Sequence, residues 1–230
     1  MKKPRRRFLR SAFAAMLAAI GLQSRSSAQT ESPEEVVRGA ADLALEALED
    51  RREYFEANEG ELRELVNSIF LPRFDRNYAA YLVLGRHGRS TSAEDRNRFT
   101  LALYDYILNR YSRGLLSFTS DRLQILPYQG TPGEDRATVR TFVILDDGRR
   151  IPVNYDLRQS DSGWRVYDIA IDGISYLRNL RSQLGAEIEA NGIDNVIARL
   201  ESETSAANEA PPETSEAQQE SSETQQDTSE

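Results

Sequence analysis

Few residues in this chain are of the types that do covalent or redox chemistry. Among 230 residues there is no cysteine, one histidine and two methionines. Disulfides, thiol catalysis, zinc–thiolate sites and iron–sulfur clusters are therefore excluded. His87 stands in the run Arg86-His87-Gly88-Arg89-Ser90, the setting of an exposed polar side chain rather than of a triad base. Glu34-Glu35 follow Ser32-Pro33 and are accounted for as a helix capping box. Asp146-Asp147-Gly148 lacks the spaced ligands and closing glutamate of a calcium loop and reads as a hairpin turn. No Gly-rich phosphate loop, nucleophile elbow or H-E-x-x-H motif occurs. Nothing singles out a carboxylate pair for glycoside hydrolysis. The informative side chains are aromatic. All 17 aromatics beyond residue 28 lie between Tyr54 and Tyr176, and ten of them are tyrosines. A buried tyrosine needs a partner for its hydroxyl, so this concentration suits a partly hollow interior better than a dry solid one.

The elements that would position these residues follow from periodicity. A first helix starts at the Ser32 box, with Val36, Ala40, Leu43 and Ala47 at helical spacing. A second carries Leu62, Leu65, Val66, Ile69 and Phe70 and ends before Pro72. A third carries Phe74, Tyr78, Tyr81 and Leu82 and stops at Gly85. Thr91-Ser92-Ala93-Glu94 caps a long helix with Phe99, Leu103, Tyr106, Ile107 and Tyr111. The period then switches to two. Leu123 and Ile125 mark a short strand, and Val139–Leu145 is a near-continuous apolar run. Ile151, Val153, Tyr155 and Leu157 alternate strictly with polar neighbours. Trp164 to Ile171 is the last strand, and its shift from Trp164/Val166 to Tyr167/Ile169/Ile171 predicts a bulge. Two more helices carry Ile174, Leu177, Leu184 and Ile188, then Ile193, Val196, Ile197 and Leu200. The expected class is α+β, with an antiparallel meander of about four strands between helices.

Charge divides the chain into three. Residues 1–28 hold seven of the 29 basic residues and no acid. Their basic start, the apolar run Phe13–Leu22 and the small residues Ser26-Ser27-Ala28 read as a removable signal peptide. Arg5-Arg6-Arg7-Phe8-Leu9 resembles a twin-arginine signal, although Pro4 replaces the usual Ser or Thr, and an ordinary Sec signal fits equally. Both routes lead to the periplasm. Residues 201–230 hold nine of the 37 acids and no base, and their composition predicts a disordered acidic tail. Between them, residues 29–200 carry 22 arginines against 28 acids. Such a domain is not built to hold nucleic acid or an anionic bilayer through bulk charge.

Three stretches carry a family resemblance. They are Phe70-Leu71-Pro72-Arg73-Phe74-Asp75-Arg76-Asn77-Tyr78-Ala79-Ala80-Tyr81-Leu82-Val83-Leu84-Gly85, the run Trp164–Tyr176 with Tyr167-Asp168 and Asp172-Gly173-Ile174-Ser175, and Gly192-Ile193-Asp194 through Leu200. Together they resemble the MlaC, or toluene-tolerance, family of periplasmic phospholipid-binding proteins over residues 33–200. The departures are the acidic tail, the twin-arginine flavour of the signal, and His87-Gly88 where an aromatic is frequent. The resemblance implies a curved sheet wrapped by helices around an apolar pocket, with phospholipid as cargo and neither catalysis, cofactor nor metal. It implies shuttling of lipid between an inner-membrane ABC transporter bearing an MCE-domain subunit and an outer-membrane lipoprotein–porin complex. The lining carried over by resemblance is Tyr78, Tyr81, Leu82, Phe99, Leu103, Tyr106, Ile107, Phe142, Ile144, Val153, Tyr155, Trp164, Tyr167 and Ile169.

Two other readings remain at this stage. One is a small cavity enzyme similar to NTF2-like hydrolases or isomerases, for which Asp156 or Asp168 would supply the acid or base. The other is an envelope adaptor with a solid core that works through its surface alone.

Overall fold

The computed structural model describes residues 31–209, apart from 118, 120, 132 and 146. The expected signal peptide, the end of the acidic tail and Asp146 of the hairpin turn lie outside these residues. The order is four helices, a long fifth helix, five strands and two helices.

Helix α1 (Pro33–Leu48) starts at the capping box seen in the sequence. Glu35 Oε2 accepts from the Ser32 amide at 2.6 Å, and the Ser32 hydroxyl accepts from the Glu35 amide at 3.2 Å. These bonds hold the Glu35 carboxyl below the usual glutamate range. Helix α2 (Arg52–Ala57) is one the periodicity did not predict, because six residues are too few to show a stripe. Helix α3 (Glu59–Phe70) ends before Pro72 as expected. Helix α4 (Arg76–Leu84) is capped by Asp75 and stopped by Gly85, whose φ of 50° favours glycine. Helix α5 (Ala93–Tyr111) is capped by Ser92, whose hydroxyl accepts from the Asp95 amide at 3.0 Å. The cap thus falls on Ser92, within the expected Thr91–Glu94 stretch.

Strands β1 (Leu123–Ile125), β2 (Arg136–Ile144), β3 (Arg150–Ser160), β4 (Gly163–Ile171) and β5 (Ile174–Ser175) form one antiparallel sheet in sequence order. The fifth strand takes Ile174, which the sequence had given to a helix. It pairs with Ile171 across the turn at Asp172 and Gly173, both at positive φ. The predicted bulge is present. Asp156 pairs with Asp168 but Leu157 with Val166, so Tyr167 is the extra residue in β4.

Helices α6 (Tyr176–Asn191) and α7 (Ile193–Glu209) pack with α4 and α5 around Val83, Leu84, Phe99, Leu103, Leu180, Leu184, Val196, Ile197 and Leu200. Helix α7 runs nine residues past Leu200, where the folded part was expected to end. Polar contacts hold the extension: Arg98 pairs with Glu201 at 3.2 Å, and the Asn109 amide donates to the Thr204 carbonyl at 3.3 Å. No helix among the described residues is long and apolar enough to cross a membrane.

Candidate functional site

Strand register decides which side chains share a face, because successive residues alternate. Val143, Thr141, Val139 and Ala137 of β2 stand opposite Ile151, Val153, Tyr155 and Leu157 of β3. The same face continues with Ile171, Ile169, Val166 and Trp164 in β4 and with Leu123 and Ile125 in β1. This inner face is apolar except for Thr141, whose hydroxyl donates to the Val153 carbonyl at 2.9 Å, and for Gln159, exposed opposite Trp164 at the β3–β4 end.

Helix α1 covers one half of it. Val36 and Val37 pack on Ala137, Val139, Leu157 and Val166, and all of these are buried. Towards the other end the cover thins. Leu123, Ile125, Val143, Ile151, Tyr155 and Ile169 are only half-buried, and Ile174 is 64% exposed. Tyr155 is the clearest case. Burial pushes its phenol above the usual tyrosine range, yet part of its surface stays uncovered.

A separate helical cluster is formed by Leu48, Phe55, Leu62 and Val66, with Leu65, Phe70, Leu108, Leu115 and Leu116 half-buried against it. It does not merge with the sheet cluster or with the α4–α7 bundle. Domains of this size normally have one contiguous core with small satellites.

The residues carried over by resemblance do not form one lining. Val153, Tyr155, Trp164 and Ile169 share the inner face of the sheet. Phe142 and Ile144 are on the other face, since Phe142 pairs with Gln124 and Pro152 and lies under the Arg150 guanidinium. Phe99 and Leu103 are buried within the helical bundle, and Tyr106 and Ile107 pack against it. Leu82 is half-buried outside all three clusters. Tyr81 is 63% exposed and stacks on Tyr78. Tyr78 and Tyr167, edge to face at 5.2 Å, share the Arg136 guanidinium through their hydroxyls. The bulge turns Tyr167 to this outer cluster. Missed by the sequence reading were Leu123, Ile125, Val143 and Ile151. Counting back across the turn at Gly148 would have set Val143 against Ile151 and assigned the face.

The two aspartates of the cavity-enzyme reading have structural partners. Asp156 accepts from the Thr138 hydroxyl at 2.6 Å, away from the apolar face. Asp168 is buried, accepting from the Ser175 hydroxyl and from the Leu177 amide at 3.0 Å, which fastens the start of α6 to β4. Neither carboxylate stands on the apolar face. Among the described residues no group of His, Asp and Glu is arranged to hold a metal ion. Two surface hollows of about 410 and 460 Å³ also occur. One lies by the β3–β4 turn and Trp164, the other between α4 and α6, and both carry arginines. Both hollows mix apolar lining with charged groups, Val36, Pro72 and Trp164 with Arg73 and Arg165 in one and Val83 and Leu84 with Arg86, Arg178, Arg181 and Glu189 in the other, whereas the face of the sheet is more continuously apolar.

Residues 38–202 match the family model described as MlaC protein. The chain belongs to the MlaC family. It is 25% identical over 187 residues to the intermembrane phospholipid transport system binding protein MlaC of Haemophilus influenzae, covering 80% of this chain and 87% of that one. It is also 25% identical over 205 residues to the toluene tolerance protein ttg2D of Pseudomonas putida, covering 88% and 94%. Among solved structures, a phospholipid-binding protein from Ralstonia solanacearum in complex with a phospholipid superposes with a TM-score of 0.69 at 19% identity. The match spans 78% of this chain and all of that one, and the two share the fold. The α+β class expected from the sequence is thereby met, with five strands rather than about four.

Proposed function

We propose that this MlaC-family chain is a periplasmic phospholipid carrier whose acyl chains lie between the inner face of the sheet and the helices. The observation that carries the reading is the apolar inner face left half-covered from Leu123 to Ile169. The relatives named above, one a transport-system binding protein and one a phospholipid complex, support the same cargo. The wall consists of Leu123, Ile125, Val143, Ile151, Tyr155 and Ile169, and the opening lies beside exposed Ile171 and Ile174.

The energetics suit a carrier. At about 0.8 kcal/mol per buried methylene, two long acyl chains represent on the order of 20 kcal/mol removed from water. Non-covalent affinity saturates near that scale, so escape into water is slow and release requires a partner that offers another apolar path. We assign that role to an inner-membrane MCE-domain/ABC transporter complex on one side and an outer-membrane lipoprotein–porin complex on the other. The carrier has no catalytic residue, and its export signal is the segment 1–28.

Native mass spectrometry of the chain purified without added lipid tests this. The expected result is a bound glycerophospholipid. Apo protein alone after gentle extraction overturns the carrier reading, and a bound small polar metabolite in its place supports a cavity enzyme.

A further inference from the structure

Tyr78, Tyr81 and Tyr167 have no place on the apolar wall, and the face that gathers them is cationic. On the outer face of the sheet, register places Arg136 and Arg140 of β2, Arg150 and Arg158 of β3, and Arg165 of β4. The strand acids on that face are Asp156 and Asp168, and buried Asp168 is already engaged by Ser175 and Leu177. Arginines are thus concentrated here in a domain where acids outnumber them, 28 to 22 over residues 29–200. Among the described residues only Arg158 of the five has a carboxylate partner, Asp75 at 2.7 Å. Arg150 donates to the Gln124 side chain, and Arg165 to the Pro72 carbonyl and the Ser162 hydroxyl.

Arg136 is the centre of this face. It stands directly across from Arg158, and like charges opposite one another cost stability. Two phenols hold it: it donates to the Tyr78 hydroxyl at 2.6 Å and to the Tyr167 hydroxyl at 3.2 Å. Its guanidinium carbon lies 5.4 and 5.6 Å from the two ring centroids. The Arg158 guanidinium lies over the same Tyr78 ring at 4.5 Å. The bulge in β4 is what aims Tyr167 here. Each phenol oxygen accepts from Arg136, which leaves its own O–H, among the described residues, free to donate. Tyr81, 63% exposed and stacked on Tyr78 at 6.4 Å, borders the clamp with an uncovered ring. The clamp therefore presents N–H and O–H donors beside a flat apolar contact.

Donors held in place by two phenols fit a carboxylate, which takes two parallel N–H bonds from one guanidinium. Tyrosine and arginine are also the side chains that carry most of the energy of protein–protein contacts. An anionic bilayer is the poorer occupant. With its arginines gathered here, the rest of the domain is the more acidic and is repelled by such a surface. The outer face also has no exposed Leu, Ile or Trp among its described residues to insert into lipid. We propose that the outer face of the sheet docks an acidic segment of a partner protein. One carboxylate sits on Arg136 between Tyr78 and Tyr167, a second on exposed Arg140, and an apolar side chain rests on Tyr81. This face is opposite the one that forms the apolar wall, so docking and lipid binding are separate properties.

The probe is a fluorescein-labelled peptide, Glu-Leu-Glu-Gly-Glu-Leu-Glu, added to the full chain as purified. Fluorescence anisotropy is expected to show saturable binding that the Gln-for-Glu peptide lacks. That binding should disappear in about 1 M salt, where the Debye length is about 3 Å. Arg136→Gln/Arg140→Gln should weaken it about tenfold or more, and Tyr81→Ala, at an exposed position, several-fold. Arg136→Lys keeps the charge without the fork and should fall between. Arg178→Gln/Arg181→Gln, an equal loss of charge on α6, should leave affinity unchanged. Lipid content by mass spectrometry should be the same in every variant, so that loss of docking is told apart from loss of cargo. No binding, equal binding of the Gln peptide, or an equal loss in the α6 control overturns the proposal. Capture by phosphatidylglycerol vesicles that depends on Arg136 and Arg140, without peptide binding, overturns it in favour of membrane contact.

Discussion

Tyr155 and Leu157 are two residues apart on the same face of β3, and they differ in how far they are buried. Leu157 is fully buried against Val36 and Val37, whereas Tyr155 is only half-buried. Ile169, opposite Tyr155, is half-buried too, and the proposed cleft places both on its wall. Ile169→Trp is therefore expected to expel lipid with the melting temperature nearly kept. Leu157→Trp is expected to overpack a filled site at a cost of about 1–3 kcal/mol with lipid content retained in the folded fraction. Thermal melts combined with lipid extraction separate the two, and equal destabilisation by both would mean that Ile169 faces filled core. Asp168 gives a second outcome at this scale. Asp168→Ala leaves the buried Ser175 hydroxyl and the Leu177 amide without their acceptor. Urea denaturation should show a loss of about 1–3 kcal/mol, with lipid still bound to the folded protein.

At the scale of elements, much was legible because local chemistry and tertiary role agreed. Ser32, Gly85 and the phase shift around Tyr167 each announced a cap, a stop or a bulge that the structure contains. What was not legible depended on partners distant in sequence. The run Val139–Leu145 is apolar on both faces, so only pairing with β3 reveals that Val143 is inside while Phe142 and Ile144 are outside. The α5 stripe looked equally fit to line a pocket or a bundle, and it is the packing of α6 and α7 that makes Phe99 and Leu103 bundle core. Polar composition likewise hid the end of α7, whose extension rests on ion pairs rather than on an apolar stripe. A chain ending at Glu209 should melt like the full chain, whereas one ending at Leu200 loses the Arg98–Glu201 and Arg199–Glu203 pairs and should melt lower. Helix α1 makes a pH prediction. Glu34 is held below the usual glutamate range by its bonds from Arg38 and the Tyr128 amide, and Glu35 by Ser32. Folded values below the unfolded one contribute stability that is present above the unfolded pKa and lost as pH falls through the folded one. Glu34→Gln/Glu35→Gln should accordingly be less stable than the parent at neutral pH, with the gap in urea midpoint closing as pH falls through the lowered folded values of the two carboxyls.

The molecule as a whole combines a packed bundle, a half-covered sheet and a third apolar cluster distinct from both. On the carrier reading, the interior is complete only when acyl chains occupy the space between sheet and helices. A ligand that binds the folded state alone adds RT ln(1 + [L]/Kd) to its stability, about 4 kcal/mol at a thousandfold excess over Kd. Removing lipid should therefore lower the melting temperature of the full chain, and it should do so without unfolding it, because the bundle core from Val83 to Leu200 owes nothing to the cleft. The stripped protein is expected to keep its helical circular dichroism and to bind an environment-sensitive apolar dye that the loaded protein excludes. Re-addition of phospholipid should then displace the dye and restore the melting temperature together, since one cleft governs both. Glycerol phosphate, which carries the headgroup chemistry without acyl chains, should do neither. Dye binding equal in the stripped and loaded forms would place the free apolar surface elsewhere, and recovery by glycerol phosphate would shift the site from the apolar face to the arginine-lined hollows.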